Sequence, residues 1–148
     1  MARRRMEDLC LSNEAISEAR SWVGTPYKDG HALKGVGCDC VGLLEGIWRS
    51  IKGGVPNEER RTARDWHIMD PNALSDVANR YMSKIDGPEP GALVVLSYGS
   101  SGAANHCGIL GEDTLIHASN ARSLGRGRVV EVPFSEPLKR RVVGYWRF

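Results

Sequence analysis

The chain has 148 residues, of which 41% are hydrophobic and 26% charged, with a formal net charge of +2. That length suits one domain around one core, and the composition is ordinary for a globular protein. So small a net charge gives no reason to expect generic binding to nucleic acid, and no stretch approaches the roughly 18 apolar residues of a membrane span.

From the start of the chain, residues 1–11 read as a loose basic arm carrying Arg3-Arg4-Arg5. The arginines are followed at once by Glu7 and Asp8 rather than by an apolar segment, so a secretory signal is not expected. With no export signal, the four cysteines at 10, 38, 40 and 107 read as reduced thiols of a product made in the cytoplasm. A Cys38–Cys40 disulfide would close a very small, strained ring.

Ser12 or Asn13 can cap a first helix running to about Val23, with Ile16, Ala19 and Val23 as its buried stripe; Gly24-Thr25-Pro26 ends it. Lys28 to Gly37 reads as a loop carrying His31. A second helix begins at Cys40. Leu43, Leu44, Ile47, Trp48 and Ile51 follow at helical spacing and put Cys40 on the apolar face at the first turn. Gly42 and Gly46 leave one side of this helix open to close approach, and Gly53-Gly54 ends it.

Residues 52–72 are polar and turn-rich and include Arg60-Arg61 and His67, and a third helix is expected from about Asn72 to Met82. After the rigid turn Gly87-Pro88-Glu89-Pro90-Gly91 the period changes. Leu93–Leu96 reads as a buried strand, His106–Leu110 and Leu115–Ala118 as a hairpin, and Arg128–Val132 and Val142–Phe148 as further strands. Helices first and an antiparallel sheet of about five strands after them make an α+β fold, with residues 12–148 as a single domain.

The chemistry concentrates in Gly35-Val36-Gly37-Cys38-Asp39-Cys40-Val41-Gly42. A cysteine acts as a nucleophile only as thiolate, and its pKa falls from about 8.5 at a helix N-terminus or beside a protonated histidine. Cys40 has the helix position and its free amides, which also suit a developing oxyanion. Cys38 lies just outside the helix, Cys107 mid-strand and Cys10 in the arm. His106 and His117 sit on adjoining strands and can share a sheet face as base and orienting group. Strand alternation groups His106 with Gly108 and Leu110 and turns Cys107 the other way. Gly108 would leave room for a helix end or substrate. A satisfied structural histidine and a merely buried cysteine are the bland alternatives.

Five segments in order, Gly24-Thr25-Pro26-Tyr27, Asp39-Cys40-Val41-Gly42-Leu43, Pro90-Gly91-Ala92-Leu93, His106-Cys107-Gly108-Ile109 and Ile116-His117-Ala118, resemble the NlpC-type cell-wall peptidases. The resemblance spans about residues 12–148. It implies a papain-like cysteine peptidase that cuts peptidoglycan stem peptides, commonly between γ-D-glutamate and a diamino acid, without a cofactor or metal. It implies Cys40 as nucleophile, His106 as base and His117 as the residue that orients it. Tyr27 and Asp39 would border the site and support substrate or oxyanion. Val41 departs from the family's usual serine, and Ala92 from its usual aspartate.

The run Lys34-Gly35-Val36-Gly37-Cys38-Asp39-Cys40 resembles the subgroup found in tailed phages and gene transfer agents. That implies a virion tail component held by tail-tip or hub proteins, carried to the target cell and acting in its periplasm or wall. Two alternatives stand beside the enzyme. One is a non-catalytic tail-tip module of the same fold, docking through its basic ends and the polar 52–66 stretch. The other is a zinc site drawn from Cys38, Cys40, Cys107 and a histidine, for which one residue between the first two cysteines is poor spacing.

Overall fold

The computed structural model describes residues 2–54, 70–121 and 127–148. Expectations that fall on 55–69, including His67, Arg60-Arg61 and most of the polar docking stretch, lie outside the described residues. Helix α1 spans Ala2–Ser21, a short hairpin joins β1 (Ala32–Leu33) to β2 (Gly37–Cys38), and α2 spans Cys40–Lys52. Helix α3 (Ala73–Tyr81) leads directly into β3 (Ser83–Ile85). Strands β4 (Leu93–Leu96), β5 (His106–Leu110), β6 (Thr114–Ser119) and β7 (Arg128–Pro133) follow, then the one-turn helix α4 (Glu136–Lys139) and β8 (Val142–Arg147).

The architecture is α+β. Six strands form an antiparallel sheet in the order β3-β8-β4-β5-β6-β7. The strand beyond the five expected is β3, three residues at the sheet edge. Ser83-Lys84-Ile85 is too short and too exposed to show an alternating pattern. The β1–β2 hairpin inside the expected loop is equally short.

The sheet separates two apolar clusters. On one face Leu93, Val95, Cys107, Ile109, Ile116, Ala118, Val129 and Trp146 pack against Ala15, Ala19 and Trp22 of the α1 end and Cys40, Leu43 and Ile47 of α2. On the other, Val94, Leu96, Leu110, Leu115 and Phe134 form a smaller cluster. Strand alternation sorts these residues as the period-2 pattern demands. Helix α2 lies close to its neighbours because Gly42 and Gly46 carry no Cβ. One added at Gly42 would meet the His31 carbonyl, and one at Gly46 the ring of Trp22.

Helix α1 differs from expectation at both ends. It begins at Ala2, so residues 2–11 of the expected loose arm are helical. Arginine, leucine, methionine and glutamate are good helix formers, and Arg3 and Glu7 pair at i,i+4. Ser12 and Asn13 are interior positions, not caps. At the other end Trp22 is buried, while Val23 is exposed, because the helix stops at Ser21 and the chain turns before Val23 could reach the core.

Candidate active site

The site is built where the first turn of α2 meets the beginning of β5. Asp39 is the N-cap of α2, in extended conformation, and its Oδ1 accepts from the Gly42 amide at 2.7 Å. Its Oδ2 accepts from the Gly30 amide, also at 2.7 Å, so one carboxylate ties the loop before β1 to the helix start. The Asp39 amide in turn donates to the His31 carbonyl at 3.2 Å. A capping aspartate fixes the first helical residue in place, and here that residue is Cys40. Asp39 therefore acts on this site through the backbone, by holding the first turn of α2.

Cys40 is buried, 7% exposed, at the edge of the larger cluster. Its thiol pKa is held well below the ordinary value. The strongest cause is a hydrogen bond from the Cys107 thiol, followed by the hydrogen bond and positive charge of His106; burial and the Asp39 carboxylate oppose them. Cys107 is shifted the opposite way, well above the ordinary value, by its bond to Cys40 and by burial. Of the two thiols, Cys40 is thus the one that ionises more readily.

His106 and His117 stand side by side. His106 Nε2 lies 2.8 Å from His117 Nδ1, and the ring planes are nearly perpendicular, with centroids 5.0 Å apart. The His117 pKa is lowered to about 3 by burial and then by the charge of His106. His117 is consequently neutral near pH 7, and when His106 is protonated its Nε2–H is the donor and His117 Nδ1 the acceptor of this bond. That leaves His106 Nδ1 for the sulfur. Tyr98 also meets the His106 ring in an edge-type contact, with centroids 5.1 Å apart. Asn105 pins Tyr98 by a pair of bonds, Oδ1 accepting from the Tyr98 amide at 2.8 Å and Nδ2 donating to its carbonyl at 2.7 Å.

Tyr27 completes the rim. It is half-buried against the larger cluster, and its hydroxyl donates to Asp29 Oδ1 at 3.2 Å. Burial, then the negative charges of Cys40, Asp29 and Asp39, push its pKa up, so it stays a neutral phenol. His31 is exposed, with Nδ1 2.8 Å from the Asp29 carbonyl; its contribution near the site is its backbone. Cys38 is fully buried in the core, one strand position before the cap. Val41 also packs against that cluster.

Five of the residues singled out in the sequence, Cys40, His106, His117, Tyr27 and Asp39, thus come together. Two readings change. Gly108 opens space for neither helix nor substrate: a Cβ there would meet the Ile116 carbonyl and the side chains of Leu115 and His117 on β6. Cys107 is no bystander. Alternation does turn it away from His106, but Cys40 sits over the start of β5 and meets consecutive residues from both faces, which a strand's end permits and its middle does not. Tyr98 and Asn105 went unnoticed in the sequence. An aromatic residue two positions past β4 and an asparagine just before the base were the available signals.

Among the described residues, no group of three or more His, Cys, Asp or Glu is placed to hold a metal ion, so the zinc alternative finds no ligand set there. No helix among them is long and apolar enough to cross a membrane.

No family model and no curated protein matches the chain. Solved structures do. An NlpC/P60 family protein from Bacillus cereus superposes with a TM-score of 0.64 at 19% identity, over 93% of this chain and 40% of that one. NlpC1 from Trichomonas vaginalis gives 0.65 at 19% identity, over 93% and 44%. The peptidoglycan hydrolase RipB from Mycobacterium tuberculosis gives 0.60 at 17% identity, over 97% and 67%. The fold is the papain-like fold of the NlpC/P60 proteins. The chain spans less than half the length of the first two structures, so it corresponds to one part of each.

Proposed function

We propose that the chain is a cysteine-type cell-wall hydrolase that cuts peptide bonds in peptidoglycan stem peptides. The observation that carries this reading is the chain Cys40–His106–His117 at the start of a capped helix. A thiol that ionises readily, an imidazole beside it and a neutral partner behind that imidazole are the parts acyl transfer requires. The likeness to RipB, a peptidoglycan hydrolase by name, supports the choice of substrate polymer.

In this reading the Cys40 thiolate attacks a stem-peptide carbonyl and forms a tetrahedral oxyanion. The Gly42 amide is engaged by Asp39, so the oxyanion falls to the amide of Cys40 itself. His106, protonated and steadied by His117 and Tyr98, gives its proton to the leaving amine as the C–N bond breaks. Water then enters, His106 takes its proton, and the thioester is hydrolysed to a carboxylic acid with the thiolate restored. The scissile bond we assign is the one between γ-D-glutamate and a diamino acid, on the strength of the five sequence segments.

The run Lys34 to Cys40 supports a further step. Made in the cytoplasm, the enzyme would be carried by tail-tip or hub proteins of a phage-like particle and would breach the target wall from the periplasmic side. Mass spectrometry of fragments released from defined muropeptides tests the chemistry. The intact protein should release a new amino end at the diamino acid, and Cys40→Ala should release nothing while folding normally. Equal release by that variant would overturn the reading and leave a non-catalytic module of the same fold.

A further inference from the structure

The mechanism above leaves a buried thiol at the site without a role. Cys107 follows His106 in β5 and is 1% exposed. Its Sγ lies 3.4 Å from the carbonyl oxygen of Cys40, within reach for a sulfur donor, and its side chain also hydrogen-bonds the Cys40 side chain. One S–H proton therefore has two acceptors on the same residue, a carbonyl and a sulfur.

Which acceptor it serves depends on the charge of Cys40. The carbonyl opens the helix and has the amide of α2 one turn on as its regular partner, so it does not depend on Cys107. A sulfur anion in this setting does. It belongs to the buried cluster that also holds Leu43, Ile109 and Ala104, has lost most of its water, and needs donors to remain charged. The titratable groups around it are few. Asp39, on its own element, opposes the charge, and His106 of β5 favours it. Tyr27 and Tyr98 both feel the charge of the Cys40 sulfur, and the Tyr27 hydroxyl already donates to Asp29. Cys107 is the donor on the buried side.

We propose that Cys107 is a positioning residue for the nucleophile: its S–H turns from the Cys40 carbonyl to the Cys40 sulfur as that sulfur ionises, and holds the anion against β5. This rests on Cys40 being the nucleophile of the proposed peptidase. No proton is transferred and no bond is made; Cys107 keeps its hydrogen throughout. Once Cys40 is acylated its sulfur is a poor acceptor, and the S–H returns to the carbonyl. It swings back as the thiolate departs in deacylation.

The test is the rate of iodoacetamide labelling of Cys40 against pH, under reductant, with the Cys40 peptide read by mass spectrometry so that Cys10, Cys38 and Cys107 do not interfere. The protein is compared with Cys107→Ala, Cys107→Val and Cys107→Ser. Ala and Val remove the donor, Val while filling the thiol's volume; Ser restores a donor. The labelling midpoint should rise by about one pH unit or more in the Ala and Val variants and return toward that of the parent in Ser. The acid limb of muropeptide release should move with it, while the rate on the alkaline plateau persists, which a general packing defect would not spare. Should Ala melt early, Val against Ser carries the comparison.

A low midpoint in the parent that Ala and Val leave unmoved, or a Ser variant that behaves as Ala does, overturns this inference alone. An ordinary thiol midpoint for Cys40 in the parent overturns the proposed peptidase, and the role of Cys107 with it.

Discussion

Helices α1 and α2 make an instructive pair. Both carry alternating apolar and polar residues, yet their first turns are held by different means. The first turn of α2 is capped by Asp39, closed at its far end by Gly53 in the left-handed conformation, and buried against β5. The first turn of α1 has no acidic residue to complement the helix dipole, and the turns that follow leave Met6 67% and Leu9 63% exposed. Tertiary contact holds α2 in one place; the start of α1 leans on local propensity. Chemistry that depends on tenths of an ångström can be built on the first kind of helix end and not on the second.

The largest effects should come from the partners that α2 presents to β5 and β6. His106→Ala should lower muropeptide release by at least about 10³-fold with little change in thermal unfolding, because it removes the proton donor to the leaving amine. His117→Asn should cost about 10²-fold, since an amide can still accept from His106 Nε2 but from a different distance. Steady-state release from a defined muropeptide measures both. If His117→Asn were worse than His106→Ala, the order of roles along the chain would be wrong.

His117 also makes stability depend on pH. Its folded pKa is about 3 against an unfolded 6.5, so below pH 6.5 the unfolded chain takes up a proton that the folded chain refuses. Its contribution is fully present above about pH 6.5 and is lost as pH falls from there toward 3. The slope in that window is about 1.4 kcal/mol per pH unit at most. Urea unfolding at pH 7 and pH 5 should show the protein losing more stability on acidification than His117→Asn does. Equal losses would place the acid sensitivity elsewhere.

How much of this was legible beforehand follows the same division. The α2 segment announced itself, because a glycine-containing loop before it, an apolar stripe from Cys40 and the closing Gly53-Gly54 all agreed, and agreement across levels is what specifies a structure. The pairing of His106 with His117 was legible from a short hairpin and period-2 alternation. What was hidden is what alternation misstates. Cys107 reads as facing away from the site until the end of β5 is seen to be wrapped by the helix start. Tyr98 carries no periodic signal, since its place over His106 is set by the side chain of Asn105 seven residues later. The strand β3 and the start of α1 were missed for the opposite reason, as local propensities with nothing nearby to mark a boundary.

Asp39 sharpens the contrast between the helix starts, at a more modest scale. Asp39→Ala removes the acceptor for Gly42 and for Gly30 together and should lower stability by about 1–2 kcal/mol. Asp39→Asn keeps a cap for Gly42, because asparagine caps as well as aspartate, but offers one oxygen where two amides had partners. It also removes a negative charge that raises the Cys40 pKa. The Asn variant should therefore be more stable than Ala, and its Cys40 should label at lower pH than the parent's. A labelling midpoint that rose in the Asn variant would mean that the cap, not the charge, governs the sulfur.

The smallest effect should be found at the start of α1. Replacing Met6 and Leu9 together by glutamine exchanges exposed apolar side chains for residues of nearly equal helix propensity, and neither side chain packs in the core clusters. Stability should change by no more than about 0.5 kcal/mol, and muropeptide release by the purified protein should be unaltered. Further along α1, Gly91 packs against Ser12 with no Cβ between them. A loss of activity in the double variant, with unfolding unchanged, would show that the exposed first turns of α1 touch substrate or a second molecule, and the two helix starts would then be alike in being functional.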